Sequence, residues 1–202
     1  MSNFESNGQQ KARYSSNNIK MTKYFLSIAL CTYNGERYLQ EQLNSIAWQN
    51  RLPDELVICD DLSCDNTASV VKSFATKVDF PVHFLVNDKN IGSTKNFEKA
   101  ISLCNGDIII LADQDDIWHP EKLMMIENSF LSSPEVGLVF SDAEIVDNNL
   151  SELQYNLWQS IDFNQWEQRY FLKKDKNYIF NFLVKKNAVA PVTTFFLTKK
   201  LN

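Results

Sequence analysis

Ile108-Ile109-Ile110-Leu111-Ala112-Asp113-Gln114-Asp115-Asp116-Ile117-Trp118 is the stretch on which the fold turns. Its continuous apolar start describes a strand covered on both faces, which is normal only in a largely parallel sheet flanked by helices. The strand then delivers Asp113, Asp115 and Asp116 almost together. Packing gives no reason to crowd like charges there, because each raises the cost of ionising its neighbours. A hard divalent cation reverses that sign. Carboxylates spaced D-x-D at the C-terminal edge of a strand can hold Mg²⁺ or Mn²⁺, which in turn binds a substrate's phosphates. A solvated acidic turn is the competing reading of this stretch taken alone.

Working outward, Phe97, Ala100, Ile101 and Cys104 lie at helical spacing before the strand, with Ser93 as the expected cap and Asn105-Gly106 as an αL stop. After it, Pro120 reads as a first-turn residue of a helix continuing through Leu123, Met124, Ile126 and Phe130. Further upstream, Phe25 to Cys31 and Leu56 to Cys59 read as buried strands, and Val82 to Val86 as a third. Helices are expected over Glu36 to Gln49 and Asn66 to Ala75, the latter capped by Ser63 or Asp65. Val136 to Phe140 reads as a fifth strand ending near Asp142, and Val192 to Leu197 as one more. Strands alternating with helices give an α/β fold with a parallel sheet. The open-sheet rule places a ligand crevice at the strands' carboxyl ends. Thr32-Tyr33-Asn34, Asp60-Asp61 and Asp113-Gln114-Asp115 all fall on that edge.

Composition narrows the function. The chain has 202 residues, 44% hydrophobic and 22% charged, which suits one well-cored domain with a small appendage. Its net charge of −5 argues against a nucleic-acid partner, which needs a basic footprint. Cys31, Cys59, Cys64 and Cys104 form no C-x-x-C pair, so a reducing cytoplasmic setting is expected. No apolar run reaches the length of a membrane span. Residues 1–23, rich in Ser, Asn, Gln and Lys, read as a disordered leader, and residues 24–146 as the α/β domain. Residues 147–202 carry 8 basic and 5 acidic side chains with many aromatics, against 12 basic and 20 acidic before them. This last part is either a helical subdomain packing its aromatics on the sheet, or a basic surface for peripheral contact with an anionic membrane.

Three ordered motifs carry a family resemblance. Leu26 to Gly35, Asp60-Asp61-Leu62-Ser63-Cys64-Asp65-Asn66-Thr67 and Asp113 to Leu123 resemble those of family 2 glycosyltransferases, with D-Q-D-D-I-W similar to rhamnosyltransferase-like members. The resemblance implies a GT-A (Rossmann-like) three-layer sandwich with a mostly parallel central sheet. It implies an inverting enzyme of bacterial polysaccharide synthesis at the inner face of the plasma membrane. The donor would be a UDP-, dTDP- or GDP-linked sugar, the acceptor a saccharide or lipid-linked saccharide, and the cofactor Mn²⁺ or Mg²⁺. On matching positions, Tyr33 would lie against the base, with the Thr32 backbone and Asn34 beside it. Asp61 would accept from the base, Asp113 would lie near the ribose, and Asp115, with Asp113, would hold the metal.

Departures accompany the matches. Leu62 stands where the family often has Gly. The family's general base follows the Val192-to-Leu197-like strand at some distance, and after Asp175 there is no Asp or Glu. The expectation is therefore a donor-binding part whose base lies beyond Asn202, with residues 147–202 the incomplete start of an acceptor-side subdomain. A non-catalytic nucleotide-binding module or inactive fragment is the alternative. A sugar-nucleotide pyrophosphorylase would need a Gly-rich loop after the first strand, a response regulator a strand-end Lys, and a P-loop NTPase its G-x-x-x-x-G-K-[ST]; none is present. Asp142 either faces an acceptor or ends its strand. Lys95 either approaches a phosphate or is solvated. His83 and His119 read as structural or exposed.

Overall fold

The computed structural model describes residues 24–147, 150–163, 165–172 and 194–197. The elements run β1 (Leu26–Thr32), α1 (Leu39–Ala47), β2 (Glu55–Asp60), α2 (Thr67–Ala75), β3 (Val82–Val86), α3 (Ser93–Ser102) and β4 (Ile108–Ala112). They continue as α4 (Lys122–Ser132), β5 (Leu138–Phe140), β6 (Glu144–Val146), β7 (Glu152–Asn156), α5 (Leu157–Ser160), α6 (Gln165–Leu172) and β8 (Thr194–Leu197). The six-stranded sheet has the order β3-β2-β1-β4-β8-β5, and β6 and β7 form a separate antiparallel pair.

Burial on two faces is what the apolar runs of β1, β2 and β4 encode. Every residue of β1 and β2 is buried. Leu26, Ile28, Leu30, Ile58 and Ile110 point to one face, under Leu43 and Ile46 of α1, Val71 and Phe74 of α2, and Ile126 and Phe130 of α4. The alternate residues Ala29, Cys31, Cys59 and Ile109 point to the other, against Ala100, Phe97 and Ile101 of α3. Small side chains on that second face let α3 approach closely. The period of two therefore yields the expected three layers.

Parallel pairing sets the site's register. Leu30 pairs Ile58 and Ala112, and Thr32 pairs Asp60, so the three motif loops leave the sheet at nearly one height. β8 enters antiparallel between β4 and β5, pairing Ile110 with Phe195 and Val139 with Phe195. The rest of the 192–197 strand reading, at 192 and 193, lies outside the described residues, as do the 1–23 leader and most of 173–202.

Several local expectations are corrected. Gly92, not Ser93, is the N-cap of α3, with φ 83° and ψ 156°, a conformation open to glycine. α4 begins at Lys122, so Pro120 lies in the preceding turn rather than the helix. α3 ends at Ser102, before Asn105-Gly106, and Gly106 has no positive φ. Gly106 is glycine for want of space, because a Cβ there would collide with the hydroxyl and amide of Ser27. Ser27 and Glu55 are cross-strand partners, and the Ser27 hydroxyl donates to Glu55 at 2.5 Å while accepting from the Gly106 amide at 2.7 Å. Asn105 adds donations from its backbone and side-chain amides to Glu55.

Burial alone would raise Glu55, but the hydrogen bonds from Asn105 and Ser27 and the nearby His83 outweigh it and hold this carboxyl below its ordinary value. A carboxyl lowered on folding contributes stability above its unfolded pKa and loses it as pH falls through the folded one. Stability should therefore fall as pH drops below about 4.5, and Glu55→Gln should flatten that acid limb while lowering the plateau. Thermal midpoints from pH 7 to 3 on both proteins check this.

Candidate functional site

The carboxyl edge of the sheet gathers the loops after β1, β2, β3 and β4. Asp60 and Asp61, successive residues at the end of β2, point oppositely and are both buried. Asp60 accepts from the Thr32 hydroxyl at 2.6 Å, the Ser63 amide at 2.8 Å and the Ser63 hydroxyl at 2.5 Å. Asp61 accepts from the amides of Ile91 and Gly92 and from the Asn87 side chain, each at 2.8 Å. Burial opposes the charge of Asp61, but those donors outweigh it and hold the carboxyl below its usual range. Asn87 is itself fixed by Asn96 at 2.9 Å and accepts from Lys99 at 2.7 Å.

The first two motif loops are sewn to each other. The Asn34 amide donates to Ser63, and the Asn34 side chain accepts from the Cys64 amide. Gly35 donates to Thr67, and Glu36 donates to Asp65 while its carboxylate accepts twice from Asn66. The N-cap of α2 is Asn66, without a side-chain cap bond, rather than Ser63 or Asp65; Asp65 accepts from the Thr67 amide and Ser63 serves Asp60. Asn34 and Leu62 both hold positive φ, 49° and 65°. The second value is one that glycine adopts without strain: Leu62 bears a left-handed backbone that costs an L-residue about 1 kcal/mol or more.

The acidic loop behaves differently. Asp115 is exposed, and Asp113 is half-buried. Burial, then the charge of Asp115, pushes the Asp113 carboxyl up to about 6. Burial also raises Asp116, with Asp113 adding to it and Lys122 opposing. The loop is anchored on α1: Trp118 donates its amide to Ser45, and Gln49 donates to His119 and accepts from Leu123. Gln114 donates to the Tyr33 carbonyl at 3.1 Å and accepts from the Tyr33 amide at 2.8 Å. The Tyr33 ring is half exposed. Beside Asp115 and Asp116 lies an open cleft of about 250 Å³, also lined by Arg37, Tyr38, Glu41 and Leu150. That is smaller than pockets that enclose drug-sized ligands, so a large ligand would lie across the edge rather than inside.

Among the described residues no group of three or more His, Cys, Asp or Glu side chains is assembled to hold a metal. The pair Asp113 and Asp115 nonetheless suits a Mg²⁺-like ion, which takes one or two carboxylates and completes its shell with water and phosphate oxygens. It does not suit a closed structural site.

Other expected residues fall in plain roles. Asp142 accepts from the Ala143 and Trp158 amides and so ends its strand by fixing α5. Lys95 is an exposed residue within α3. His83 is exposed, 3.7 Å from Glu55, and His119 is exposed. Trp158 packs on Phe140 and Phe163 at ring separations of 6.0 and 5.0 Å, the packing reading of that segment, while the side chains of Trp166, Tyr170, Phe171, Tyr178, Phe180 and Phe182 lie outside those described. The cysteines are free, and burial raises the thiols of Cys31, Cys59 and Cys104. No described helix is long and apolar enough to cross a membrane.

A parallel sheet with acidic loops on its carboxyl edge and an antiparallel strand laid beside the acidic one is the architecture of GT-A nucleotide-sugar transferases. The chain belongs to glycosyl transferase family 2, whose family model matches residues 27–197. It is 30% identical over 145 residues to the Escherichia coli UDP-Glc:alpha-D-GlcNAc-diphosphoundecaprenol beta-1,3-glucosyltransferase WfgD, covering 72% of this chain and 56% of that one. It is 36% identical over 125 residues to the Shigella flexneri dTDP-rhamnosyl transferase RfbG, covering 60% and 40%. The chain thus spans about half the length, or less, of these relatives. Among solved structures, S. aureus TarS 1-349 in complex with UDP matches with a TM-score of 0.52 and 28% identity over 62% of this chain and 37% of that one. The Pyrobaculum calidifontis mannosyltransferase PcManGT shares the fold with a TM-score of 0.52 at 24% identity, over 62% and 36%.

Three substitutions probe the edge. Asp61→Ala strands the Ile91 and Gly92 amides and should cost about 2–4 kcal/mol in denaturant unfolding. Leu62→Gly should leave stability unchanged or raise it by up to about 1 kcal/mol, while Leu62→Val, β-branched at positive φ, should lower it.

Proposed function

We propose that this chain binds a nucleotide-diphosphate sugar, UDP-, dTDP- or GDP-linked, and serves its inverting transfer to a saccharide or lipid-linked acceptor in bacterial cell-surface polysaccharide synthesis. One observation carries the reading: the Tyr33 loop, Asp61 and the Asp113–Asp115 pair lie on one sheet edge, the first and last joined directly by the Tyr33–Gln114 hydrogen bonds. The relatives' own activities, glucosyl and rhamnosyl transfer, support it.

In this reading the exposed Tyr33 ring stacks on the base, with the Thr32 backbone and Asn34 forming the floor. Three of Asp61's roughly four acceptor sites are engaged internally, which leaves one for a base N–H. Asp113 borders the ribose and, with Asp115, holds Mn²⁺ or Mg²⁺. Such an ion, when bound, neutralises charge on the leaving diphosphate. The chain's own residues orient the donor so that C1 of the sugar faces an acceptor hydroxyl, and the crowding of Asp113 by Asp115 favours cation over proton once ligand arrives. Residues 24–146 are the donor-binding domain. The following segment starts the acceptor side, working at the cytoplasmic membrane face.

Thermal stability with UDP, dTDP and GDP, each with and without Mn²⁺, tests the proposal. Saturation at about 100 times the dissociation constant adds roughly 2.7 kcal/mol, a rise of about 5–10 °C for a chain this size. One nucleotide should give a metal-dependent rise that Asp115→Ala abolishes. No rise with any of them would overturn the donor reading.

A further inference from the structure

We infer that Gln114, between the two carboxylates of the D-Q-D motif, is a positioning residue that locks the Tyr33 backbone and so couples the base-facing loop to the diphosphate-facing one. The inference rests on the donor reading and goes beyond it. The β1–β4 ladder ends at the Leu30 and Ala112 pair, after which the two chains diverge. Tyr33 and Gln114 lie just past that point, and the Gln114 amide supplies both a donor and an acceptor to the one residue, Tyr33. A side chain thereby continues the ladder after the backbones can no longer reach each other. A primary amide does both from two separate atoms; a carboxylate would set an oxygen against the Tyr33 carbonyl.

Gly35 supplies the second observation. It has no positive φ, so conformation does not require glycine there. A Cβ at position 35 would collide with the Gln114 side-chain amide. The space is reserved for the clamp. The Tyr33 ring is half exposed, with little core packing to aim it. Its direction follows from its backbone, and Gln114 holds that residue's own amide and carbonyl while the second motif loop holds its neighbours.

The test uses calorimetric affinity for the nucleoside diphosphate and Mn²⁺ on the full chain, together with amide hydrogen exchange over residues 32–35 in the ligand-free protein. Gln114→Met keeps the side chain's length and removes both bonds. It should speed exchange of the Tyr33 amide and weaken nucleotide binding roughly tenfold, a fraction of what a stacked base is worth. Gly35→Ala should do the same, and should add little in the Gln114→Met background. In a Tyr33→Ala background, Gln114→Met should have no further effect on affinity, which a general structural role would not produce. Unchanged exchange or unchanged affinity in Gln114→Met overturns the inference. So does a full loss that persists in Tyr33→Ala, because Gln114 would then act through the carboxylates. If the unmutated chain binds no nucleoside diphosphate while exchange in Gln114→Met still rises, the clamp exists but the donor reading fails, and the coupling role falls with it.

Discussion

Two adjacent buried carboxylates hold the carboxyl edge of this sheet in shape. A strand sends successive side chains to opposite faces, so Asp60 and Asp61 leave β2 in opposite directions. Asp60 ties down the loop after β1 through Thr32 and its own loop through Ser63, whereas Asp61 ties down the loop between β3 and α3 through Ile91, Gly92 and Asn87. A buried carboxylate is costly unless its lone pairs are answered. Here the answers come from the end of β1 and from the loops after β2 and β3. The expense of burying charge is thus converted into fixed positions for three chain segments.

That frame separates residues that build the site from residues that reach out of it. Thr32, Asn34, Asp60 and most of Asp61 are consumed by internal hydrogen bonds. What remains presented outward is the Tyr33 ring, the Asp115 carboxylate and part of Asp113. The arrangement suits a ligand lying along the edge, an aromatic surface at one end and carboxylates at the other. The distance between those ends is governed by how the first and third motif loops are joined.

Much of this was legible in the sequence because the signals were periodic or chemically loud. Continuous apolar runs announced β1, β2 and β4, and carboxylates at strand ends announced the edge. What sequence reading missed depends on contacts between distant residues. Gly106 looked like a helix stop because Asn-Gly commonly is one, yet its reason is the Ser27 hydroxyl of another strand. Pro120 looked helical, but the turn it occupies is held by Asn50, which donates to the Pro120 carbonyl. Gln114 was passed over as the filler between two aspartates, although a residue able both to give and to accept beside a reserved glycine was the available clue. The insertion of β8 between β4 and β5 was not readable, because no local pattern states which neighbour a strand will choose.

The carboxylates themselves distinguish frame from reach. Asp61 and Asp113 are the same residue type on the same edge, and burial pushes both upward. Backbone and side-chain donors reverse that push at Asp61 and leave it below its ordinary value. At Asp113 the second influence is another negative charge, Asp115, and the carboxyl rises to about 6. A fold that spends its amides on one aspartate and crowds the other with like charge has stabilised the first for structure. In the proposed donor reading, a divalent cation beside the second would relieve burial and repulsion together. The opposite shifts of Asp61 and Asp113 therefore follow from what surrounds each carboxyl, donors at one and a like charge at the other.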